Sequence, residues 1–82
     1  MKRIRFEPSV PAEIRAIEQQ AALQILTTLH RYAETGVGNV KPLSGEFEGL
    51  LRRRVGNHRV LFGETADTIA VHRVLDRKDA YR

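Results

Sequence analysis

Polar and apolar residues alternate in the amino-terminal stretch KRIRFE, residues 2–7. The alternation predicts a short strand in which Ile4 and Phe6 face inward. Pro8 ends this strand. Pro11 suits the first turn of a helix, where its missing N–H group would have no partner in any case. The chain therefore starts with a strand and then enters a helix.

Apolar positions then recur at helical spacing from Ala12 to about Thr35. They form one stripe: Ala22, Ile25, Leu26, Leu29, Tyr32 and Ala33. Ile14 and Ile17 extend this stripe backwards, with a bend near Gln19 and Gln20. The spacing is compatible with one bent helix or with a helical hairpin. Gly36 is a natural residue at which to end the helix.

In the second half of the chain, the pattern of turn residues and alternating positions predicts strands. Residues 37–49, rich in glycine and turn formers, are expected to form a loop. Three strands follow, at about Leu50–Val55, His58–Glu64 and Thr68–Leu75, and the first two are joined by the two-residue hairpin turn Gly56-Asn57. We predict an α+β fold with an N-terminal strand, one bent helix or helical hairpin, and a three-stranded antiparallel meander, its helices packed on one face of the sheet.

Composition limits the classes of protein that fit. The 82 residues suffice for a single domain, residues 1–82, and 41% hydrophobic with 29% charged residues is ordinary for a globular chain. The absence of cysteine excludes a disulfide framework and a thiolate metal site, and the three histidines lack ligand spacing. Neither a signal peptide nor a transmembrane segment is recognisable, so we expect a cytoplasmic protein with no membrane partner.

The predicted hairpin concentrates positive charge on one face. With a two-residue turn, Arg54 lies opposite Arg59, and alternation places Arg52 on the same side. Two arginines directly across a ladder repel unless an anion lies between them, so this face is a candidate polyanion site. A set of ordinary solubilising residues is the alternative. Arg53 falls on the apolar face, where we expect it to reach around an edge or to pair with Glu48.

The register of the third strand stays open. If Ile69 and Val71 pack inward, Ala70, His72 and Val74 face the arginines, whereas in the other register Arg73 does. Histidine is the residue type suited to act as an acid or a base near neutral pH, so His72 is a candidate for that role. A strand histidine with no catalytic role is the other reading.

Two motifs carry a resemblance to a known family. One begins Lys41-x-Leu43-x-Gly45 and continues as Gly49-Leu50-x-Arg52-x-Arg54-Val55-Gly56-x-x-Arg59-Val60-Leu61-Phe62; the other is Val74-x-x-Arg77-x-x-x-Tyr81. In this order they resemble the second half of the RelE/ParE toxin superfamily. The resemblance covers about Lys41 to Arg82, half of the chain, and the first half agrees in its order of strand and helices.

The resemblance implies the toxin of a type II toxin–antitoxin system, and in its RelE branch a ribosome-dependent mRNA endonuclease that inhibits translation. The implied reaction needs no metal or other cofactor, because the ribose 2′-OH attacks the adjacent phosphate. The implied partners are a cognate antitoxin protein and mRNA in the ribosomal A site. Operator DNA would be contacted only through the antitoxin.

The matched positions imply roles for individual residues. Arg59 and Arg77 would stabilise charge in the transition state, and Tyr81 is the candidate for proton transfer, because arginine stays protonated at any working pH. The residues assigned to RNA or phosphate binding are Arg52, Arg54, Lys41 and Lys78.

Two other functions fit the same fold. A ParE-like toxin would inhibit DNA gyrase instead of cutting RNA. A degenerate toxin would act only through antitoxin binding and operon co-repression. Asp76 keeps this last reading open, because it stands where many relatives have histidine or lysine. Arg53 also departs from the family's pattern, since relatives usually have an apolar residue there.

Overall fold

Five strands form one mixed sheet in the computed structural model, which describes residues 1–76. The elements follow in this order: β1 (Arg3–Phe6), α1 (Val10–Arg15), α2 (Gln19–Thr35), β2 (Val40–Pro42), a 3-10 turn (Gly45–Phe47), β3 (Leu51–Val55), β4 (His58–Glu64) and β5 (Thr68–Asp76). The core lies between the helices and one face of the sheet. The predicted α+β class is confirmed.

The sheet is larger than the predicted meander, with strand order β1-β5-β4-β3-β2. β1 joins the sheet by pairing in parallel with β5, so that Ile4 lies beside Ile69. β2 pairs antiparallel with β3 inside the segment that was predicted to be a loop. The loop prediction was wrong there because three residues ending in Pro42 are too few to show an alternating pattern.

The helical segment is divided into two helices rather than one bent helix. Pro11 lies in the first turn of α1, as predicted, and residues 16–18 separate α1 from α2. α2 ends at Gly36, whose backbone is left-handed, with φ of 72°, and whose N–H group donates to the Tyr32 carbonyl. Neither helix of the described residues is long and apolar enough to cross a membrane.

The buried core consists mainly of residues from α2 and from three strands. Its members are Val10, Ile25, Leu29, Ala33, Val55, Val60, Phe62, Ile69, Val71 and Val74. Two residues predicted to be buried are partly exposed: Leu26 at 37% and Phe6 at 36%. Leu26 lies about 100° around the helix from Ile25, beyond the buried stripe, and Phe6 lies on the edge strand β1.

The β3–β4 hairpin has the predicted turn and register. Gly56 and Asn57 connect the strands, and Gly56 has a φ of 58°, a left-handed conformation that glycine adopts without strain. Val55 lies opposite His58, and Arg54 lies opposite Arg59. Every side chain of the hairpin is therefore on the face that the sequence predicted.

A β-bulge settles the register of β5. Phe62 lies opposite Val71 and Leu61 lies opposite Arg73, so His72 is the extra residue between them. Ile69 and Val71 pack inward, as the first of the two predicted registers required. That register also placed Val74 with the arginines, which was wrong, because the bulge returns Val74 to the core.

Glu13 of α1 ties the helix to β5 just after the bulge. Its Oε2 accepts a hydrogen bond of 2.7 Å from Arg73 Nε, and its Oε1 accepts one of 2.9 Å from the Val74 backbone N–H. One carboxylate thus satisfies a strand amide and holds the Arg73 side chain against α1. Arg73 thus starts from the face of the sheet that carries Arg59, since it lies opposite Leu61, but its guanidinium is held by the Glu13 carboxylate.

We predict that Glu13→Ala lowers the free energy of unfolding by about 1–3 kcal/mol, because a part-buried amide loses its acceptor. Urea unfolding followed by circular dichroism measures the change. Glu18→Ala is the matched control, since Glu18 is exposed and its side chain makes no capping hydrogen bond. Equal effects of the two substitutions would contradict a specific role for Glu13.

Candidate phosphate-binding site

Four basic side chains cross the face of the sheet that is turned away from the helices; we call Lys41, Arg52, Arg54 and Arg59 the cationic face. Lys41 of β2 lies opposite Arg52 of β3, and Arg54 of β3 lies opposite Arg59 of β4. Neighbouring strands are about 4.8 Å apart, so the row spans about 10 Å across three strands. The structure brings together the described members of the predicted site.

Exposure varies strongly within the cationic face. Lys41 and Arg54 are exposed and Arg52 is half-buried, but only 3% of Arg59 is exposed. Leu61, two residues further along the same face of β4, is also buried. The charge of Arg59 therefore lies below the surface that Lys41 and Arg54 present.

A small cavity of about 60 Å³ opens between β2 and β3, lined by Asn39, Lys41, Arg52 and Arg54. Asn39 was not among the predicted site residues, because residues 37–49 were predicted to form a loop. Once β2 is recognised, alternation finds it, since Asn39 and Lys41 are two residues apart and share a face. The cavity combines three cations with one amide, all of which can donate hydrogen bonds to an anion.

His72 lies on the same side of the sheet as the arginines. A Cβ atom placed on Gly63 would be 3.7 Å from His72 Nε2 and 3.7 Å from Leu50 Cδ2. Gly63 of β4 lies opposite Ala70, just before the bulge in β5, so His72 borders the β4–β5 part of this face. Arg73 lies opposite Leu61, which shares a face with Arg59, so beyond the bulge the second predicted register, with Arg73 on the side of the arginines, is the one observed.

The carboxyl-terminal part of the predicted site, Arg77, Lys78 and Tyr81, lies outside the described residues. Asp76 is the last described residue of β5 and lies opposite His58. Alternation places this pair on the helix side of the sheet, since His58 is next to Arg59 of the cationic face.

Arg53 lies on the helix side, as predicted, but not beside Glu48. A Cβ atom on Gly38 would be only 3.1 Å from Arg53 Nη1 and 3.4 Å from Cδ1 of Tyr32. The guanidinium and the Tyr32 ring thus both lie beside Gly38, and no ion pair joins Arg53 to Glu48 in the described part of the chain. The predicted pairing with Glu48 was wrong, because the loop before β2 covers Arg53 first.

Beside Arg53, a polar network joins the amino-terminal residue Lys2, Tyr32 of α2 and Glu64 at the end of β4. Lys2 Nζ lies 2.6 Å from Glu64 Oε2, and the Tyr32 hydroxyl donates to Glu64 Oε1 at 2.8 Å. Burial and the hydrogen bond to Glu64 raise the pKa of the Tyr32 phenol. Burial alone would raise the pKa of the Glu64 carboxyl, but the hydrogen bonds from Lys2 and Tyr32 outweigh it and lower that pKa. Glu64 therefore stays ionised and anchors both partners.

The described residues fold as the RelE, YafQ and YoeB toxins do. A single-site mutant of YafQ from E. coli superposes with a TM-score of 0.80 at 9% identity over the full length of both chains. RelE in its complex with RelB from Pyrococcus horikoshii superposes with a TM-score of 0.78 at 19% identity. The superposition covers 96% of this chain and 98% of that one. A chain of the RelBE2 toxin–antitoxin complex from Mycobacterium tuberculosis superposes with a TM-score of 0.75 at 23% identity. Here 93% of this chain and 98% of that one are covered.

These likenesses establish a RelE-like fold. Compared by sequence, the chain matches neither a protein-family model nor a curated protein. Function therefore has to be argued from the side chains that the fold brings together.

We predict that Arg54→Gln stabilises the protein by about 0.2–1 kcal/mol at low salt, because it removes a like charge directly opposite Arg59. The gain should shrink as added salt screens the repulsion. Thermal unfolding at several sodium chloride concentrations measures both effects. Arg3→Gln, an exposed arginine on β1, is the control and should change stability little. A destabilised Arg54→Gln protein would contradict repulsion across this pair.

We predict that Glu64→Gln lowers the free energy of unfolding by about 1 kcal/mol at neutral pH, because Lys2 loses its ion pair. The folded-state pKa of Glu64 lies below its ordinary value of 4.5. The stabilisation is therefore present above that value and is lost as the pH falls through the folded pKa.

The difference between wild type and Glu64→Gln should accordingly disappear in acid, and urea unfolding across a pH series measures it. Glu34→Gln is the matched control, because the Glu34 side chain is 60% exposed and its carboxylate lies 3.8 Å from the ring of the equally exposed His30. A difference that persists unchanged into acid would mean that the Glu64 charge is not responsible.

Proposed function

We propose that this protein is the toxin of a type II toxin–antitoxin pair and acts in the cytoplasm as a ribosome-dependent mRNA endonuclease. The observation that carries the proposal is the cationic face: three strands of a RelE-like fold present Lys41, Arg52, Arg54 and Arg59 on one face as two neighbouring cross-strand pairs. Paired cations cost stability unless an anion lies between them. RNA supplies a series of phosphates at comparable spacing.

The chemistry suits guanidinium groups. The 2′-oxygen of a ribose forms a bond to the adjacent phosphorus, the bond from phosphorus to the 5′-oxygen breaks, and the products are a cyclic phosphate and a 5′-hydroxyl. The proton of the 2′-hydroxyl passes to a base, and the departing 5′-oxygen takes up a proton. The phosphorane between them gathers negative charge, which fixed hydrogen-bond donors stabilise.

Within this proposal, Arg52, Arg54 and Lys41 bind phosphates, as does Lys78. Arg59 and Arg77 stabilise the phosphorane, and Tyr81 transfers a proton, as the resemblance to the RelE branch implies. Because only 3% of Arg59 is exposed, a phosphate reaches its guanidinium only after a rearrangement at this face. The exposed Arg54 and Lys41 would make the first contacts with RNA.

An antitoxin is the second partner of the proposal. RelE and YoeB toxins of this fold have been solved in complexes with RelB and YefM antitoxins. An acidic segment of such a partner would neutralise the cationic face and keep RNA away from it. Contact with operator DNA would come through the antitoxin alone.

The test maps the 5′ ends of cellular mRNA after brief induction of the protein. Wild type should produce new ends inside translated reading frames. Arg54→Gln should reduce their yield by about ten- to a hundredfold, because one charged phosphate contact is lost. Tyr81→Phe should relieve growth arrest as well. Arg3→Gln removes an exposed arginine of β1 and should cut like wild type.

Arg54→Gln distinguishes loss of the site from loss of folding, because the same substitution is expected to stabilise the protein. A loss of cutting by a more stable protein therefore reports the site itself. Intact mRNA together with an SOS response would overturn the proposal in favour of gyrase inhibition. Intact mRNA without growth arrest would indicate a protein that acts only through its antitoxin.

A further inference from the structure

The loop before β2 contributes to both sides of the sheet. Asn39 and Lys41 line the cavity on the cationic face. Gly38 and Val40 are on the helix side, where Val40 lies opposite Arg53 and Gly38 contacts the guanidinium of Arg53. This alternation continues the β2 pattern back to residue 38. The position of Asn39 on the cationic face therefore depends on the contact between Gly38 and Arg53 on the helix side.

We propose that Asn39, Lys41, Arg52 and Arg54 form a subsite for one non-reacting phosphate of single-stranded RNA, and that the contact between Gly38 and Arg53 positions Asn39 in it. The inference rests on the proposed function and deepens it. It adds Asn39 as a binding residue and separates this subsite from Arg59, which lies on the next strand and is buried.

The size and donors of the cavity suit a phosphate. About 60 Å³ holds a few water-sized groups, since about 10–15 Å³ suffices for one, and this is the scale of an oxyanion rather than of a nucleobase. The Asn39 amide can donate to an anionic oxygen without adding charge. Lys41 and Arg54 are exposed, so a phosphate can reach the cavity from solvent.

An RNA strand fits this surface better than a protein segment does. Protein interfaces depend on buried apolar anchors, whereas nucleic-acid interfaces are polar and positively charged. Four of the five large exposed hydrophobic residues of the described chain lie elsewhere: Leu23 and Leu26 on α2, Phe6 on β1, and Met1; the fifth, Val37, precedes Gly38 in the loop. The surface around the cavity instead continues as a row of cations toward Arg59.

Gly38 sets the position of Asn39 by having no side chain. The site of its absent Cβ atom is 3.3 Å from Cζ of Arg53, which is tighter than an ordinary contact. A methyl group there would push the loop away from β3 by a few tenths of an ångström. The crowded atoms belong to the Arg53 side chain, which is half-buried, so in the proposed subsite the loop gives way and carries Asn39, the next residue, with it; Gly38 is then a positioning residue.

The test measures binding of a short 2′-O-methyl RNA, which cannot undergo attack by a 2′-hydroxyl, by fluorescence anisotropy at several salt concentrations. Asn39→Ala should weaken binding about five- to tenfold through loss of one hydrogen bond to a charged group. The slope of log affinity against log salt should not change, because no counterion is involved. Lys41→Gln should lower that slope by about 0.7, the value for one phosphate contact on a single strand.

Gly38→Ala tests the positioning role. It should weaken RNA binding as Asn39→Ala does, and it should have no further effect in the Asn39→Ala background, because the two substitutions act on one contact. Asn57→Ala in the β3–β4 turn is the matched control and should bind like wild type. Thermal unfolding confirms that each variant is folded.

The subsite is overturned if folded Asn39→Ala binds the RNA as wild type does, or if Gly38→Ala and Asn39→Ala weaken binding additively. It is also overturned if a glutamate-rich peptide binds with this dependence on Asn39 while the RNA does not, which would indicate a protein ligand. Binding of uncleavable RNA does not depend on cutting. Failure of the endonuclease proposal therefore leaves this measurement interpretable, and the reverse also holds.

Discussion

The two-residue turn at Gly56 and Asn57 determines which face each side chain of β3 and β4 occupies. Because side chains alternate with a period of two, one added or deleted residue in the turn would exchange the faces of one strand relative to the other. The observed register keeps Val60 in the core and places Arg54 opposite Arg59. Burial of the apolar face leaves the arginines on the opposite side of the sheet. The register set by this one turn therefore determines the composition of both faces.

The three consecutive arginines of β3 occupy two different environments. Arg52 and Arg54 belong to the cationic face, while Arg53 is packed on the other side of the sheet, where its guanidinium and the ring of Tyr32 both lie beside Gly38. A guanidinium can occupy a half-buried place next to a helix because its long stem packs like an apolar chain. The sheet therefore separates the charges that the sequence places next to one another.

Local signals made the hairpin predictable, whereas contacts between distant segments could not be predicted. The turn residues and the alternation around them specify β3 and β4 without reference to the rest of the chain. The parallel pairing of β1 with β5 joins segments more than 60 residues apart and leaves no local pattern. Short β2 lacks the length to show alternation, so Asn39 was missed with it. The bulge beside Leu61 is likewise a property of two strands together, and it moved Val74 to the core.

The place of β5 in the sheet constrains the order in which the protein can assemble during its synthesis. β5 follows the other four strands of residues 1–76, yet it lies between β1 and β4 and supplies Ile69, Val71 and Val74 to the core. A nascent chain that ends before β5 leaves β1 without a neighbour and exposes one side of β4. The five strands can therefore pair into one sheet only after β5 has left the ribosome. A chain interrupted earlier would lack the completed fold.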